Sequence, residues 1–383
     1  MKILGYTITK PTNYIQRTQP EKVGSFTIVE QPTQIISAEI ANFKIAIQAA
    51  KGQYSQQRGM IYDMYQNTID FDSILIGLIE QRLIATTGKK LQYLVNEEPS
   101  PQGKALTDTP LFNEFISDVV LSQVFWGMGL FEFSKKKWNN QELFDYFQIP
   151  IKHIDPYQKV VRETQYSSSQ NDKTYEGIDN VLFVGEKDNF GLLQQLTMLA
   201  LYKRAAINDW AKYTKLAGTN FRILKYRGAQ LGKKEREGVL DKVANFAGGA
   251  VDLPQDIDLT TENQTSSSQN ALFENYVAYL DEQMTKIVLG STMTTDNGSS
   301  RSQAEVHERT TETLLDADSA MLLNVLNYDF YEIGVKMYGL PEGGRWSYIE
   351  NAGTKQLEQI EMDLKLKELG ILFTNEEIRA KYL

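Results

Sequence analysis

Residue types that could do chemistry are sparse and scattered in this chain. Its two histidines, His153 and His307, sit in unrelated contexts, which leaves no histidine-rich metal site. His307 falls in EVHE, where Glu305 and Glu308 stand three apart but the second histidine of the HExxH zinc pattern is missing. Acids near a helix N-terminus are favoured without any metal, so the segment reads as a solvated helix start. TTGKK at residues 86–90 fails as a phosphate loop: Leu83 stands where the first glycine belongs and Lys90 where Ser or Thr would reach a cation. The glycines at 127–129 and 248–249 make turns rather than GxGxxG, and no GxSxG supports a hydrolase nucleophile. The carboxylate pairs Asp70 with Asp72 and Asp316 with Asp318 have acid–base spacing, yet such pairs on helices and turns are usually solvated. No catalytic residue, metal or cofactor is expected.

Two other groups concern binding. Arg222, Lys225, Arg227, Lys233, Lys234 and Arg236 lie within fifteen residues, interleaved with Glu235 and Glu237, and read equally as a docking surface or as a solvated strand and helix edge. Tyr202, Trp210 and Tyr213 could stack on bases, but their helical spacing is that of packing residues.

The elements that would position these residues follow from apolar spacing. Residues 1–36 mix β-branched residues with Pro11, Pro20 and Pro32, the pattern of an extended arm. A helix is expected over 72–85, with an apolar stripe at Ile74, Leu75, Leu78, Ile79, Leu83 and Ile84, and helical character continues over 112–125. GLFEF, DYFQI, KVVRE and NVLFV read as short strands, the first two separated by SKKKWNN. A helix without Pro or Gly is expected over 192–217, followed by a small α/β insert and a second helix over 272–289. The polar stretch 291–303 then breaks the chain before an uninterrupted helix over 304–338 and a short helical tail. The chain is thus α+β and predominantly helical.

Composition narrows the function classes. The 383 residues suffice for two or three domains, or for one elongated subunit of an assembly. Without cysteine there is no disulfide framework and no thiolate site, which suggests an intracellular folding compartment. No segment approaches the ~18 consecutive apolar residues of a membrane span and no targeting peptide is evident, so a soluble protein with no membrane partner is expected. A net charge of −9 argues against a surface that grips nucleic acid throughout, though not against transient phosphate contact.

Two stretches carry a family resemblance: NDWAKYTKLAGTNFRILKY, and YLDEQMTKIVLGSTMTTDNGSSRSQAEVHERTTETLLDADSAMLLNVLN. With weaker similarity at the front and the end, the chain from about residue 37 resembles the portal proteins of tailed phages, specifically the Mu-like portal family. The resemblance implies a non-enzymatic ring, usually of twelve copies, around a channel for double-stranded DNA at one capsid vertex. It implies a wing over 1–190, stem helices over 191–217 and 271–290, and a clip over 218–270. A tunnel loop would cover 291–303, a long tunnel-side helix 304–340, and a tail or reduced crown 341–383. Thr292, Thr294, Thr295, Asp296, Asn297, Ser299, Ser300 and Arg301 would then face DNA, and the basic insert would dock partners. Those implied are the large terminase, the major capsid and scaffold proteins, and head-completion or tail adaptor proteins. The location implied is the virion, after assembly in the host cytoplasm. The competing readings are an intracellular α/β enzyme using front-domain carboxylates, and a helical scaffold with no DNA conduit.

Overall fold

Side-chain caps at Asp72 and Ser100 open two of the helices. The computed structural model describes residues 2–3, 6–7, 21–28, 40–52, 58–138, 141–165, 170–217, 221–226, 257–262, 267–291 and 301–349, with isolated positions between 232 and 241 and at 363 and 365. Its longer helices are α1 (Ile40–Ala50), α2 (Gly59–Phe71), α3 (Ser73–Thr87), α4 (Pro101–Thr107), α5 (Pro110–Val120), α6 (Leu193–Ala217), α7 (Ser267–Leu289), α8 (Arg301–Asn324) and α9 (Tyr331–Tyr338). Prolines open α4 and α5, where a missing N–H costs nothing. No helix of the described residues is long and apolar enough to cross a membrane.

The chain divides into two compact units. One comprises Met1–Ser37, Ala41–Thr197 and Thr285–Leu383; the other comprises Ala38–Ile40 and Met198–Met284. The chain passes out of the first unit within α6 and re-enters it within α7.

The first unit is built on an aromatic core. Phe112 and Phe115 on α5 pack against Phe131, Phe133 and Phe144 of a hairpin, and Phe330 and Trp346 complete the cluster. The hairpin pairs Met128–Trp138 with Gln141–Gln148, and Val181–Gly185 adds on the other side of its first strand. A second three-stranded sheet places Leu91–Val95 between Glu98–Pro99 and Arg345–Tyr348. Thus a strand from the end of the described chain completes a sheet begun near residue 91, and Tyr93 meets Trp346 edge-on at 5.2 Å.

Three sequence expectations are corrected. The lysines of SKKKWNN do not separate strands: residues 134–138 extend the first one, and Lys135 pairs with Glu142 across the hairpin at 2.7 Å. An exposed cross-strand ion pair lets a hairpin end carry lysines. The helix expected over 304–338 starts earlier, at Arg301, and is interrupted by a π-helical turn at Val325–Asp329. Val325, Leu326 and Phe330 are all buried at this wider turn. The third concerns α3, which buries Leu75, Leu78 and Ile79 as expected but leaves Ile74 37% and Ile84 69% exposed. Its buried line runs on through Arg82 and Thr86, so a charged residue occupies a core position.

α2 and α3 meet at Asp72, whose carboxylate accepts the backbone N–H groups of Ile74 and Leu75, each at 3.1 Å. This N-cap satisfies two of the four N–H groups a helix start leaves orphaned. Asp72→Ala is expected to lower stability by about 1 kcal/mol. A thermal unfolding midpoint identical to that of the unsubstituted protein would contradict the capping role.

Candidate functional site

A polar cluster lies where α7 ends, built from α3, the end of α7 and α8. α7 ends at Leu289, and Gly290 adopts a left-handed conformation (φ 76°), its N–H bonded to the Lys286 carbonyl at 2.9 Å. This is the helix-ending turn for which glycine is favoured. The last carbonyls of a helix lack intrahelical partners, and here two are taken by side chains. Arg82 Nη1 donates to the Val288 carbonyl at 2.7 Å, and Thr311 Oγ1 donates to the Leu289 carbonyl at 3.0 Å. Ser291 Oγ lies 3.1 Å from the same Thr311 hydroxyl.

Arg82 is the centre of this cluster. Its Nε and Nη2 donate to the two carboxylate oxygens of Asp318 at 2.8 and 2.9 Å, a bidentate geometry that fixes both partners. Thr86 Oγ1 adds a contact to Asp318 at 3.4 Å, and the Phe125 ring lies 5.9 Å from the guanidinium. The two ionic side chains are only 7% and 8% exposed. One guanidinium therefore ties together α3, the C-terminus of α7 and the middle of α8. A cation at a helix C-terminus is also favoured by the helix dipole.

Sequence reasoning missed this arginine, although one signal was present: Leu75, Leu78, Ile79 and Arg82 follow the i, i+3, i+4, i+7 rule of a single buried face.

The carboxylates considered for acid–base work have structural partners. Asp70 accepts from Gln66 Nε2 at 2.7 Å, Asp72 caps α3, Asp316 pairs with Lys89 at 2.7 Å, and Asp318 holds Arg82. They are neither brought together nor aimed into one cavity. His153 is fully buried, its Nδ1 2.7 Å from the Arg162 carbonyl, an arrangement that makes Nδ1 the proton donor. His307, Glu305 and Glu308 lie on α8, whose earlier start puts them in its second and third turns rather than at its N-terminus. A cavity of about 630 Å³ is walled by Lys89, Lys90, Lys104, Tyr93 and Tyr348, and Asp108 is the one acid in its described lining.

Of the predicted loop residues, Thr292, Thr294, Thr295, Asp296, Asn297, Ser299 and Ser300 lie outside the described residues, and Arg301 is the first residue of α8. The basic insert is partly described. Arg222 and Lys225 belong to the strand Phe221–Tyr226, which pairs antiparallel with Ile257–Glu262 in the register Arg222↔Thr261 and Lys225↔Asp258. Lys234 and Arg236 are exposed, while Arg227 and Lys233 lie outside the described residues. Two of the three α6 aromatics pack, Trp210 stacking on Phe273 of α7 at 6.4 Å between ring centres and Tyr213 meeting the same ring at 5.9 Å, while Tyr202 is exposed.

Comparison with known proteins gives this arrangement its context. The portal protein of Escherichia phage Mu is 21% identical over 306 residues, covering 73% of this chain and 57% of that protein, so the chain spans a little over half the length of this relative. Among solved structures, a chain from the neck of an empty gene transfer agent (GTA) particle, computed with C6 symmetry, has a TM-score of 0.51 and 12% identity, covering 90% of this chain and 99% of the other. An HK97 family phage portal protein from Corynebacterium diphtheriae has a TM-score of 0.44 and 10% identity, covering 74% and 93%. The likeness to the neck chain is one of fold. The family model described as the portal protein of Mu bacteriophage matches residues 62–383, which include the Arg82 clamp, both long helices that flank the insert, and the polar loop. On that match, the chain belongs to the family of Mu bacteriophage portal proteins.

Proposed function

We propose that this chain is a non-enzymatic portal subunit, forming a ring around a channel through which double-stranded DNA passes at one capsid vertex. The observation that carries this reading is the family match across residues 62–383. Within it, residues 1–190 form the wing, α6 and α7 the stem, 218–270 the clip and 291–303 the tunnel loop. α8 and α9 stand behind that loop, and 341–383 build a tail or reduced crown. The ring holds twelve copies, is assembled with capsid and scaffold proteins in the host cytoplasm, and becomes part of the virion. The large terminase docks on it during packaging and head-completion or tail adaptor proteins afterwards.

Physical considerations support the assignment. A conduit must not bind what it conducts, and in this chain 49 acids outnumber 40 Lys and Arg. A loop that meets a moving duplex needs a fixed base, and the Arg82–Asp318 pair with the Thr311 hydroxyl supplies one. The enzyme reading gains no support from these carboxylates, each of which is engaged in a cap, a hydrogen bond or an ion pair.

Shortening the loop by removing residues 294–300 tests its role. Rings of unchanged mass that fill capsids poorly or lose DNA are expected, and normal filling would contradict contact between this loop and DNA. For the clip, the double substitution Lys234→Glu with Arg236→Glu is expected to reduce motor-dependent packaging without altering ring mass. Packaging at the unsubstituted rate would remove these two residues from the docking surface.

A further inference from the structure

Within the second unit, α7 has two apolar faces and uses only one. Phe273 and Asp281 meet α6, Phe273 by stacking with Trp210 and Asp281 by pairing with Lys203 at 2.6 Å, and Leu280 and Met284 are buried. On another side of the same helix, Leu272, Tyr276 and Tyr279 follow one another at i, i+4 and i+7 and are 68%, 43% and 54% exposed. A single exposed apolar side chain needs no explanation, but three in one line on a helix mark a contact surface.

We infer that this Leu-Tyr-Tyr stripe packs against the outer face of α6 of a second copy of the chain. The inference rests on the ring reading above and names which faces close the ring. Charge selects the occupant. α6 carries Lys203, Arg204, Lys212 and Lys215 against Asp209 alone, whereas α7 carries Glu274, Asp281 and Glu282 against Lys286. The formal sums are +3 on α6 and −2 on α7, and the Lys203–Asp281 and Lys212–Asp209 pairs lie within one copy. Two α7 helices face to face would repel, while α7 of one copy is complementary to α6 of the next.

Shape agrees with charge. Tyr202, Ala205, Asn208 and Lys212 form an exposed line on α6 in which Ala205 leaves room for a tyrosine ring. The Lys212 stem can lie along that ring with its ammonium at the solvated edge. A contact between two different surfaces is heterologous, the kind that closes into a ring when the rotation allows and does not stop at a dimer.

The cysteine-free sequence makes the test clean. A chain carrying both Ala205→Cys and Tyr276→Cys, assembled and treated with a bismaleimide about one helix diameter long (~10 Å), is expected to give a ladder of covalent multimers on a denaturing gel. Neither single substitution should cross-link. Dimers from Tyr276→Cys alone would reveal an α7–α7 contact and overturn the inference, as would rings from which the double variant yields only monomer. As an independent measurement, Tyr276→Ala with Tyr279→Ala should raise the protein concentration needed for half-assembly at least tenfold while the far-ultraviolet circular dichroism is unchanged. Unaltered assembly of that variant would defeat the inference and leave the ring reading standing. An unsubstituted protein that never assembles would defeat both.

Discussion

Arg82→Met is expected to destabilise the protein by about 3–5 kcal/mol, the usual consequence of removing one partner from a buried ion pair. The substitution removes both bonds to Asp318 and the bond to the Val288 carbonyl. Asp318 is left almost fully buried with its charge uncompensated, and the long contact from Thr86 Oγ1 is no substitute for a guanidinium. The double substitution Arg82→Met with Asp318→Leu is then expected to recover most of the loss, because two apolar side chains leave no buried charge and only the Val288 carbonyl and the Thr86 hydroxyl short of a partner. Urea unfolding of the single and double variants measures both effects. A single variant within 1 kcal/mol of the unsubstituted protein would mean that the pair is not desolvated as its burial implies. The consequence for function follows from geometry: α7 would lose a side-chain partner at its C-terminus, two residues before Gly290.

Phe115→Ala is expected to cost about 3–5 kcal/mol, the range for deleting a fully buried aromatic ring. Phe115 has 0% exposure and lies 5.1 to 6.0 Å, between ring centres, from Phe112, Phe131, Phe133, Phe144, Phe330 and Tyr146. These rings come from four separate segments of sequence, so no single side chain can move to fill the space without disturbing the rest. Phe147 provides the control. It belongs to the same hairpin as Phe144 but is 49% exposed, and Phe147→Ala should change stability by no more than about 0.5 kcal/mol. Comparable midpoint shifts for Phe115→Ala and Phe147→Ala would contradict the position assigned to this core. A large cost at Phe147 in the assembled ring alone would instead identify that residue as a subunit contact.

What the sequence made legible is what local physics controls. The helix over 192–217 was readable because 26 residues without Pro or Gly leave few alternatives, and the structure starts it at Leu193 and ends it at Ala217. Gly290 was readable as the end of α7 because glycine is favoured in the left-handed turn that follows a helix. Arg82 was not, because a charge on an apolar face has no meaning until its partner is found, and Asp318 lies 236 residues away. The strand Arg345–Tyr348 was missed for the same reason, since its pairing with Leu91–Val95 spans most of the chain. The π turn at Val325–Asp329 escaped because periodicity assumes the regular helix it interrupts. Asp70, Asp72, Asp316 and Asp318 were legible as two pairs of acids, and tertiary context alone gave each its cap, hydrogen bond or ion pair.

The central claim is that this chain works as a ring, and the most direct test is to weigh and image the purified protein under assembly conditions. A 43.6 kDa chain that forms a portal should appear as a homogeneous particle whose mass is a whole multiple of the subunit, near twelvefold, with a central opening wide enough for a DNA duplex. A stable monomer or dimer, or a large particle with no central opening, would contradict it.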